Sequence, residues 1–461
     1  MNAVESFVDA NFSRFIDEIV EACRIPSLSN DLSELRRCAD FMARHLRQLG
    51  ASVSVMPIGG NGDPPVIHAT FSAPQSAPTL FIYGHFDVQP ANESGWSSPP
   101  FDPQIKDGFI YGRGTCDNKA QLFAHLKAIE TILAVFGELP LNIVLLLDPQ
   151  EEIGTPLMAP FVTQHREMLR ADFGLTADTE AAPGDRTTVK FGNRGNCYLT
   201  LRVRTAGRNV HSGAYGGLMP NAAWRLIDFL GTVRSRDGLV LIDGFYDDVA
   251  PPSEAELVAA NALPFDAAVF QSQMQLDDKN VPSAETAWEN IMFRPTCTVT
   301  GLGTGAGGYS TQTVIPSEAV AGLEMRLVND QTPEDILEKA RAHAARHGFD
   351  DVVIEEGMMY RPSRTPVDHP MAKVVCDAVK SQFGHEPLIV PVSGGSSPRY
   401  IWTEIAGIPF VDVSYAQNNA SSHGPNECMS LSRLRQGILT TVQIIQGLAQ
   451  LRTGPHTPRA S

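Results

Sequence analysis

Apolar residues recur at helical spacing at Val4, Phe7, Val8, Phe12, Phe15, Ile16 and Ile19, predicting an amphipathic helix from Val4 to Cys23. A second helix is predicted from Leu35 to Leu49, stopped by Gly50. Strand-like runs follow at Ser52–Met56, Val66–Phe71 and Thr79–Tyr83. Next come a helix from Asn118 to Phe136, an apolar strand at Leu141–Leu147, a helix after Pro156 and a buried strand at Phe173–Ala177. Apolar runs without alternation belong to strands covered on both faces. Interleaved with helices, they predict an α/β layer with a largely parallel sheet flanked by helices.

The pattern changes near residue 190. Tyr198–Arg204 alternates apolar and polar residues, as a half-exposed strand does. A helix from Asn221 to Val233 follows, then an irregular stretch rich in Pro and Asp, then strands near Met292–Val299 and Ala319–Val328. Thr332-Pro333-Glu334-Asp335 is a helix start, with Thr as cap, Pro first and acids in the first turn. That helix runs to His347, ahead of a strand at Asp351–Glu355. The β-α-β-β-α-β order predicts a ferredoxin-like α+β unit. After about Pro366 the α/β pattern resumes with a helix, strands at Leu388–Val392 and Phe410–Val413, and a last helix from Leu431 to Leu451. The tail from Thr453 is expected to be disordered. The expected layout is one discontinuous α/β domain, residues 1–190 and 366–461, interrupted by an inserted domain, residues 191–365.

Composition agrees with two domains and narrows the partners. A chain of 461 residues exceeds what a single core usually serves. Lys plus Arg total 36 against 52 for Asp plus Glu, a formal charge of −16, which argues against nucleic acid or an anionic membrane as partner. The seven cysteines are scattered without a CxxC pair, so neither a disulfide framework nor a thiolate zinc site is indicated. The first residues are acidic and amphipathic, unlike a secretory signal. No apolar run approaches the ~18 residues that span a membrane. The expected location is the cytoplasm.

The candidate chemistry lies where predicted strands end. Thr79–Tyr83 runs into Gly84-His85-Phe86-Asp87, Leu141–Leu147 into Asp148-Pro149-Gln150-Glu151-Glu152, and Phe173–Ala177 into Asp178. Open α/β sheets bind ligands at the carboxyl ends of their strands, so these groups can converge. Singly, each has a duller reading: His-x-Asp as surface or capping residues, paired glutamates as solvated, Asp117 as a helix cap. Imidazoles and carboxylates without thiolate suit hydrolytic zinc, manganese or cobalt.

The segments Gly84-His85-Phe86-Asp87-Val88-Gln89-Pro90, Gly112-Arg113-Gly114-Thr115-Cys116-Asp117-Asn118-Lys119 and Glu151-Glu152-Ile153-Gly154 resemble the zinc aminoacylase/carboxypeptidase family M20. So do His211-Ser212-Gly213 and Ser422-His423-Gly424-Pro425-Asn426-Glu427, in order over nearly the whole chain. The sequence is similar to the cytosolic non-specific dipeptidase branch, departing at Phe86, where that branch usually has Tyr. The resemblance implies two divalent ions, Zn²⁺ with Mn²⁺ or Co²⁺ as alternatives. His85 and Asp178 would hold one, Glu152 and His423 the other, with Asp117 bridging and a cis peptide after it. It implies Glu151 as general base for a metal-bridging water, and Asp87 as the partner that orients His85. It further implies a homodimer whose inserted lid and dimerisation domain supplies His211 across the subunit boundary. Arg326 would grip a substrate carboxylate, with Thr313, Gly395 and Ser396 near the substrate backbone.

The expected activity is hydrolysis of the amide bond of dipeptides or small peptide-like molecules. The main rival is an amidohydrolase or deacylase acting on an N-acyl or specialised amide. Asp178 weighs against that, since deacylases of the family tend to carry glutamate there. An inactive binding relative is the third reading, and the retained Glu151 weighs against it. Gly303-Thr304-Gly305-Ala306-Gly307-Gly308 fits GxGxxG, but no helix start follows, so a dinucleotide site is not expected.

Overall fold

The computed structural model describes residues 3–73, 77–92, 94–304 and 312–451. The tail from Thr453 and most of the Gly303–Gly308 run lie outside them. The first two helices are Ala3–Cys23 and Leu32–Gln48. The second starts earlier than its apolar spacing suggests because Asp31 caps it, accepting from the Ser33 and Glu34 N–H groups.

The larger sheet has the order Ser52–Pro57, Pro65–Phe71, Asn142–Asp148, Thr79–His85, Phe173–Thr176, Phe410–Val413, Thr188–Lys190, Leu388–Val390. It is mixed rather than largely parallel. Asn142–Asp148, Thr79–His85, Phe173–Thr176 and Phe410–Val413 run parallel to one another, as do the last two strands in the order. Pairing is antiparallel along the Ser52–Pro57 side and between Phe410–Val413 and Thr188–Lys190. The physical reason on the first side is connection length. Residues 58–64, which join Ser52–Pro57 to its neighbour Pro65–Phe71, are too short for the crossover that a parallel neighbour needs.

Both faces of the sheet are covered, as the continuous apolar runs require. Leu80 and Ile82 face the core shared with helices Ala3–Cys23, Lys119–Phe136 and Leu431–Leu448. Phe81 and Tyr83 face a second core containing Phe161, Trp402 and Phe410. The Lys119–Phe136 helix is the crossover between the parallel strands Thr79–His85 and Asn142–Asp148, and Gly137 ends it at φ 83°.

An accessory domain with its own sheet is inserted between Thr188–Lys190 and Leu388–Val390. Its order is Thr296–Thr304, Glu318–Leu327, Gly195–Arg204, Val352–Tyr360, antiparallel throughout. The buried positions alternate along Glu318–Leu327 and pack with helices Ala222–Val233 and Pro333–Arg346 into a separate core. Thr332 caps the second helix through the Asp335 N–H, with Pro333 first.

The region before residue 296 departs from expectation. Met292 and Phe293 end a helix, Ala287–Phe293, and the strand begins only at Thr296. Pro295 has no N–H to continue a helix, and the two apolar residues fill a small core with Ala260, Leu263 and Val392. The stretch read as irregular holds helices Glu254–Asn261 and Ala267–Met274, the former closed by a Ser253/Glu256 capping box. Among the described residues no helix is long and apolar enough to cross a membrane.

Leu145 lies at the centre of the larger sheet, fully buried. Leu145→Ala is expected to lower stability by about 2–5 kcal/mol, measured by urea unfolding followed by circular dichroism; a loss below ~1 kcal/mol would contradict this packing.

Candidate metal centre

Three neighbouring parallel strands end at one edge and bring the chemistry with them. His85 is the last residue of Thr79–His85, Asp148 ends Asn142–Asp148, and Asp178 follows Phe173–Thr176. After Asp148 the chain folds into a tight turn, Glu151–Ile153. The buried Asp148 carboxylate shapes it, accepting from Gln150 N–H at 2.8 Å, Tyr83 Oη at 2.9 Å and Thr155 Oγ1 at 3.0 Å. Gly154 closes the turn at φ 83°, where a Cβ would lie 2.3 Å from Tyr360 Oη.

Asp117 arrives on a loop held by one carboxylate. Glu427, fully buried, accepts from Gly114 N–H (3.0 Å), Cys116 N–H (2.7 Å), Asp117 N–H (2.9 Å) and Arg113 Nη1 (2.8 Å). The Asp117–Asn118 peptide is cis. Asn118 Nδ2 donates to Asp178 Oδ1 and to the Ala177 carbonyl, both at 2.6 Å.

The result is a chain of facing donors. Asp117 Oδ1 lies 3.0 Å from His85 Nε2, and Asp117 Oδ2 lies 3.1 Å from His423 Nε2. Asp178 Oδ1 is 3.3 Å from His85 Nε2, and Glu152 Oε2 is 3.0 Å from His423 Nε2. Asp117 thus presents one oxygen to each imidazole. On the far side of His85, Nδ1 faces the Asp87 carbonyl at 3.1 Å and Asp87 Oδ1 at 3.3 Å. The Asp87 carboxylate also accepts from the Glu151 and Glu152 N–H groups, each at 3.1 Å, and from Ser29 Oγ at 2.7 Å. Gln89 donates through Nε2 to Glu152 Oε2 at 3.0 Å. Phe86 is fully buried in the core and takes no part.

Crowding these charges moves their proton equilibria. Burial lifts Asp178 to about 6 despite the His85 cation. Burial, with Asp178, Asp117 and Asp87 nearby, holds Glu151 well above the ordinary glutamate range. Burial opposes the charge on His85, yet the surrounding carboxylates raise it well above the usual imidazole value. Hydrogen bonds to Asp117 and Glu152 raise His423 to about 10. Burial would raise Asp117, but bonds from His423 and His85 hold it low.

Two divalent cations fit this set. His85, Asp117 and Glu152 place ligand atoms within 4.8 Å of one another, and so do His85, Glu151 and Asp178. The two groups share His85, and among the described residues no Lys or Arg forms a salt bridge with their carboxylates. A third group, Glu18, His45 and Glu130, differs. There the Lys127 ammonium already sits among the acceptors, 3.0 Å from His45 Nε2, 2.9 Å from Glu130 and bonded to Glu18. A cation occupies that group, so it has no need of a metal.

The remaining expected residues lie apart from this cluster. Gly395 and Ser396 line a cavity of about 220 Å³ that opens beside Glu151 and Asp178. Ser396 Oγ accepts from Arg326 Nη1 at 2.8 Å, joining the accessory domain to the cavity rim. His211 and Thr313 are exposed and bonded to each other, Nε2 to Oγ1, at 3.2 Å. Among the described residues, no hydrogen bond or ion pair joins them to the metal cluster. The supporting roles of Glu427 and Gln89 were not assigned from sequence, although both fall within the quoted motifs.

The model of peptidase family M20/M25/M40 matches residues 81–447. The chain is similar to Beta-Ala-His dipeptidase of Rattus norvegicus, 24% identical over 98% of this chain and 96% of that one. It is similar to Cys-Gly metallodipeptidase dug1 of Schizosaccharomyces pombe, 26% identical over 74% of each chain. Its fold superposes on the M20 family metallo-carboxypeptidase Sso-CP2 from Sulfolobus solfataricus with a TM-score of 0.85 and 28% identity, covering 95% of this chain and 99% of that one.

Metal binding needs neutral imidazoles and ionised carboxylates. His423 keeps its proton up to about 10, and Asp178 keeps one up to about 6. Protons therefore compete with the ion, binding releases them, and affinity rises with pH. Chelator-competition titrations with Zn²⁺ should strengthen about tenfold per pH unit for each proton displaced; a flat profile would contradict this electrostatic picture. Glu427→Gln replaces an acceptor oxygen facing backbone N–H groups. It should weaken metal retention about 10- to 100-fold, read by metal analysis after dialysis against chelator.

Proposed function

Since the chain belongs to peptidase family M20/M25/M40, we propose that this metallohydrolase is a dipeptidase, cleaving the amide bond of dipeptides or small peptide-like molecules that carry a free amine. The observation that carries the reading is Asp117, whose two oxygens face His85 and His423 while Glu151 stands at the same crevice. In this reading His85 and Asp178 hold one ion, Glu152 and His423 the other, and Asp117 both. The absence of thiolate among the donors favours Zn²⁺ over softer ions, with Mn²⁺ and Co²⁺ as alternatives.

When bound, the two ions supply Lewis acidity that lowers the pKa of a shared water and polarises the scissile carbonyl. Glu151 accepts the proton of the attacking water at its carboxylate and delivers it to the leaving nitrogen. Burial favours the protonated form of Glu151, which suits it to hold that proton between the two transfers. Asp87 fixes the His85 ring from behind and, through the Glu151 N–H, the position of the base. Asp178 offers negative charge to the substrate amine. Arg326 takes the carboxylate at the other end in a bidentate fork, oriented by Ser396, with Thr313 and Gly395 along the substrate backbone.

The developing oxyanion needs a further donor. His211 is exposed and has no link to its own chain's metal cluster among the described residues, which favours its acting from a partner subunit. A homodimer built through the accessory domain is supported by that domain's apolar surface. Trp224 is 64% exposed on its helix, and Val299 and Leu302 are 48% and 54% exposed on the edge strand Thr296–Thr304. We take residues 191–365 as this lid and dimerisation domain, and 1–190 with 366–461 as the catalytic one. The accessory strand order, fourth-first-third-second in chain order, supports the ferredoxin-like reading. Seven free cysteines support a reducing, cytoplasmic location.

A panel of dipeptides, each also N-acetylated, tests the assignment on metal-stripped protein before and after Zn²⁺ or Mn²⁺ addition. Cleavage of the free dipeptides, metal-dependent and reduced about 10²- to 10⁴-fold in Glu151→Gln, is expected. Cleavage confined to acylated substrates would move the enzyme to the deacylases.

A further inference from the structure

The cavity beside Glu151 and Asp178 contains a cation, Lys190, with no hydrogen bond or salt bridge among the described residues. Lys190 ends the strand Thr188–Lys190 and pairs in register with Asp412, which pairs in turn with Thr176. The three side chains therefore share one face of the sheet, and Lys190 and Thr176 line the cavity. Asp412 lies close enough to favour the Lys190 charge but makes no hydrogen bond to it. Its Oδ1 accepts the Asp178 N–H at 3.2 Å and its Oδ2 binds Arg399 Nη2. Among the described residues, the Lys190 ammonium has no hydrogen bond or salt bridge, and burial lowers its affinity for a proton.

Two further groups point the same way. Thr179 Oγ1 and Ser397 Oγ are buried with no hydrogen-bond partner, and both residues line this cavity. Buried donors left unpaired are costly, and the Lys190 ammonium and the two hydroxyls are donors that a ligand's acceptors would satisfy. Trp402, Phe410 and Pro398 give the wall an apolar part, beside the polar Asn193, Ser393 and Arg399. A volume of about 220 Å³ is several times the ~30 Å³ share of one water. The shape and chemistry fit a short aliphatic stem ending in an anion.

The position says which part of a substrate enters. Arg326 does not line this cavity, whereas Asp178 and Glu151 do. With the substrate amine at Asp178 and its carboxylate at Arg326, the cavity receives the side chain of the amino-terminal residue. Resting on the dipeptidase reading for that orientation, we propose that Lys190 is a specificity residue that selects substrates whose amino-terminal residue carries a side-chain carboxylate. The carboxylate accepts from the Lys190 ammonium and from the Thr179 and Ser397 hydroxyls. A lysyl or arginyl side chain is excluded by the same charge.

The test compares glutamyl-alanine with glutaminyl-alanine, near-isosteres differing in charge, on the Zn²⁺-loaded full chain. In the wild type kcat/KM should favour the glutamyl substrate about 10- to 100-fold, the worth of a hydrogen bond to a charged group. That ratio should fall at least about tenfold in Lys190→Met and persist in Lys190→Arg, which keeps the charge and controls for folding. Equal rates for the two substrates in the wild type, or a ratio unchanged in Lys190→Met, would overturn the proposal. Calorimetric titration of free L-glutamate against L-glutamine separates the pocket from the reaction. If neither dipeptide is cleaved but glutamate binds more tightly and Lys190→Met abolishes the difference, the dipeptidase reading fails and the anion pocket stands. No difference in binding between the two amino acids overturns the pocket itself.

Discussion

The Glu427 carboxylate is the constraint on which the site depends. Buried completely, it gathers the N–H groups of Gly114, Cys116 and Asp117 and the Arg113 guanidinium around itself. Those bonds fix the loop that carries Asp117 and so fix where its two oxygens point. Because a carboxylate accepts through both oxygens in several directions, one residue satisfies four donors that would otherwise be buried unpaired. The Arg113 guanidinium neutralises it and donates on to the Pro90 and His423 carbonyls at 3.2 Å. The segments carrying Gln89, Asp117 and His423 thus meet in one polar network.

Around that anchor the protein concentrates negative charge in a crevice that excludes much of the water. Asp87, Asp117, Glu151, Glu152 and Asp178 converge, and in the absence of ions protons on the histidines and on Asp178 and Glu151 relieve the repulsion. Fixed donors offset part of the remaining repulsion, such as the two backbone N–H groups on Asp87 and Gln89 on Glu152. His423 is the open member, its side chain 56% exposed while His85 is fully covered. The accessory domain touches the crevice through contacts that include Tyr360 Oη on the Gly154 carbonyl at 3.2 Å and Arg326 on Ser396.

Two lysines, one buried and one half-buried, show how context decides what a charge does. Lys127 is covered, but Glu18, Glu130 and His45 surround it, and the interaction closes on itself. Lys190 stands beside a carboxylate already engaged by Arg399 and the Asp178 N–H. The first is a structural cluster between helices; the second leaves an unmet requirement facing a cavity.

Much of this was legible along the chain. The apolar runs ending in His85, in Asp148 with Glu151 and Glu152, and in Asp178 located the site at strand ends, because burial on both faces leaves a continuous hydrophobic signature. The Thr332 cap and the alternation in Tyr198–Arg204 outlined the inserted sheet, because capping and pleat are local properties. What the chain did not reveal depends on neighbours distant in sequence. The antiparallel edges follow from which strands lie side by side, and Met292 and Phe293 are helical because a core formed with residues near 260 and 392 covers them. Asp117 and Glu427 are separated by 310 positions, and their hydrogen bond carries no sequence period. Lys190 carries no motif in the sequence. Only packing placed it beside an occupied Asp412 and two unpaired hydroxyls, because whether a charge is satisfied is decided by the groups that surround it in space.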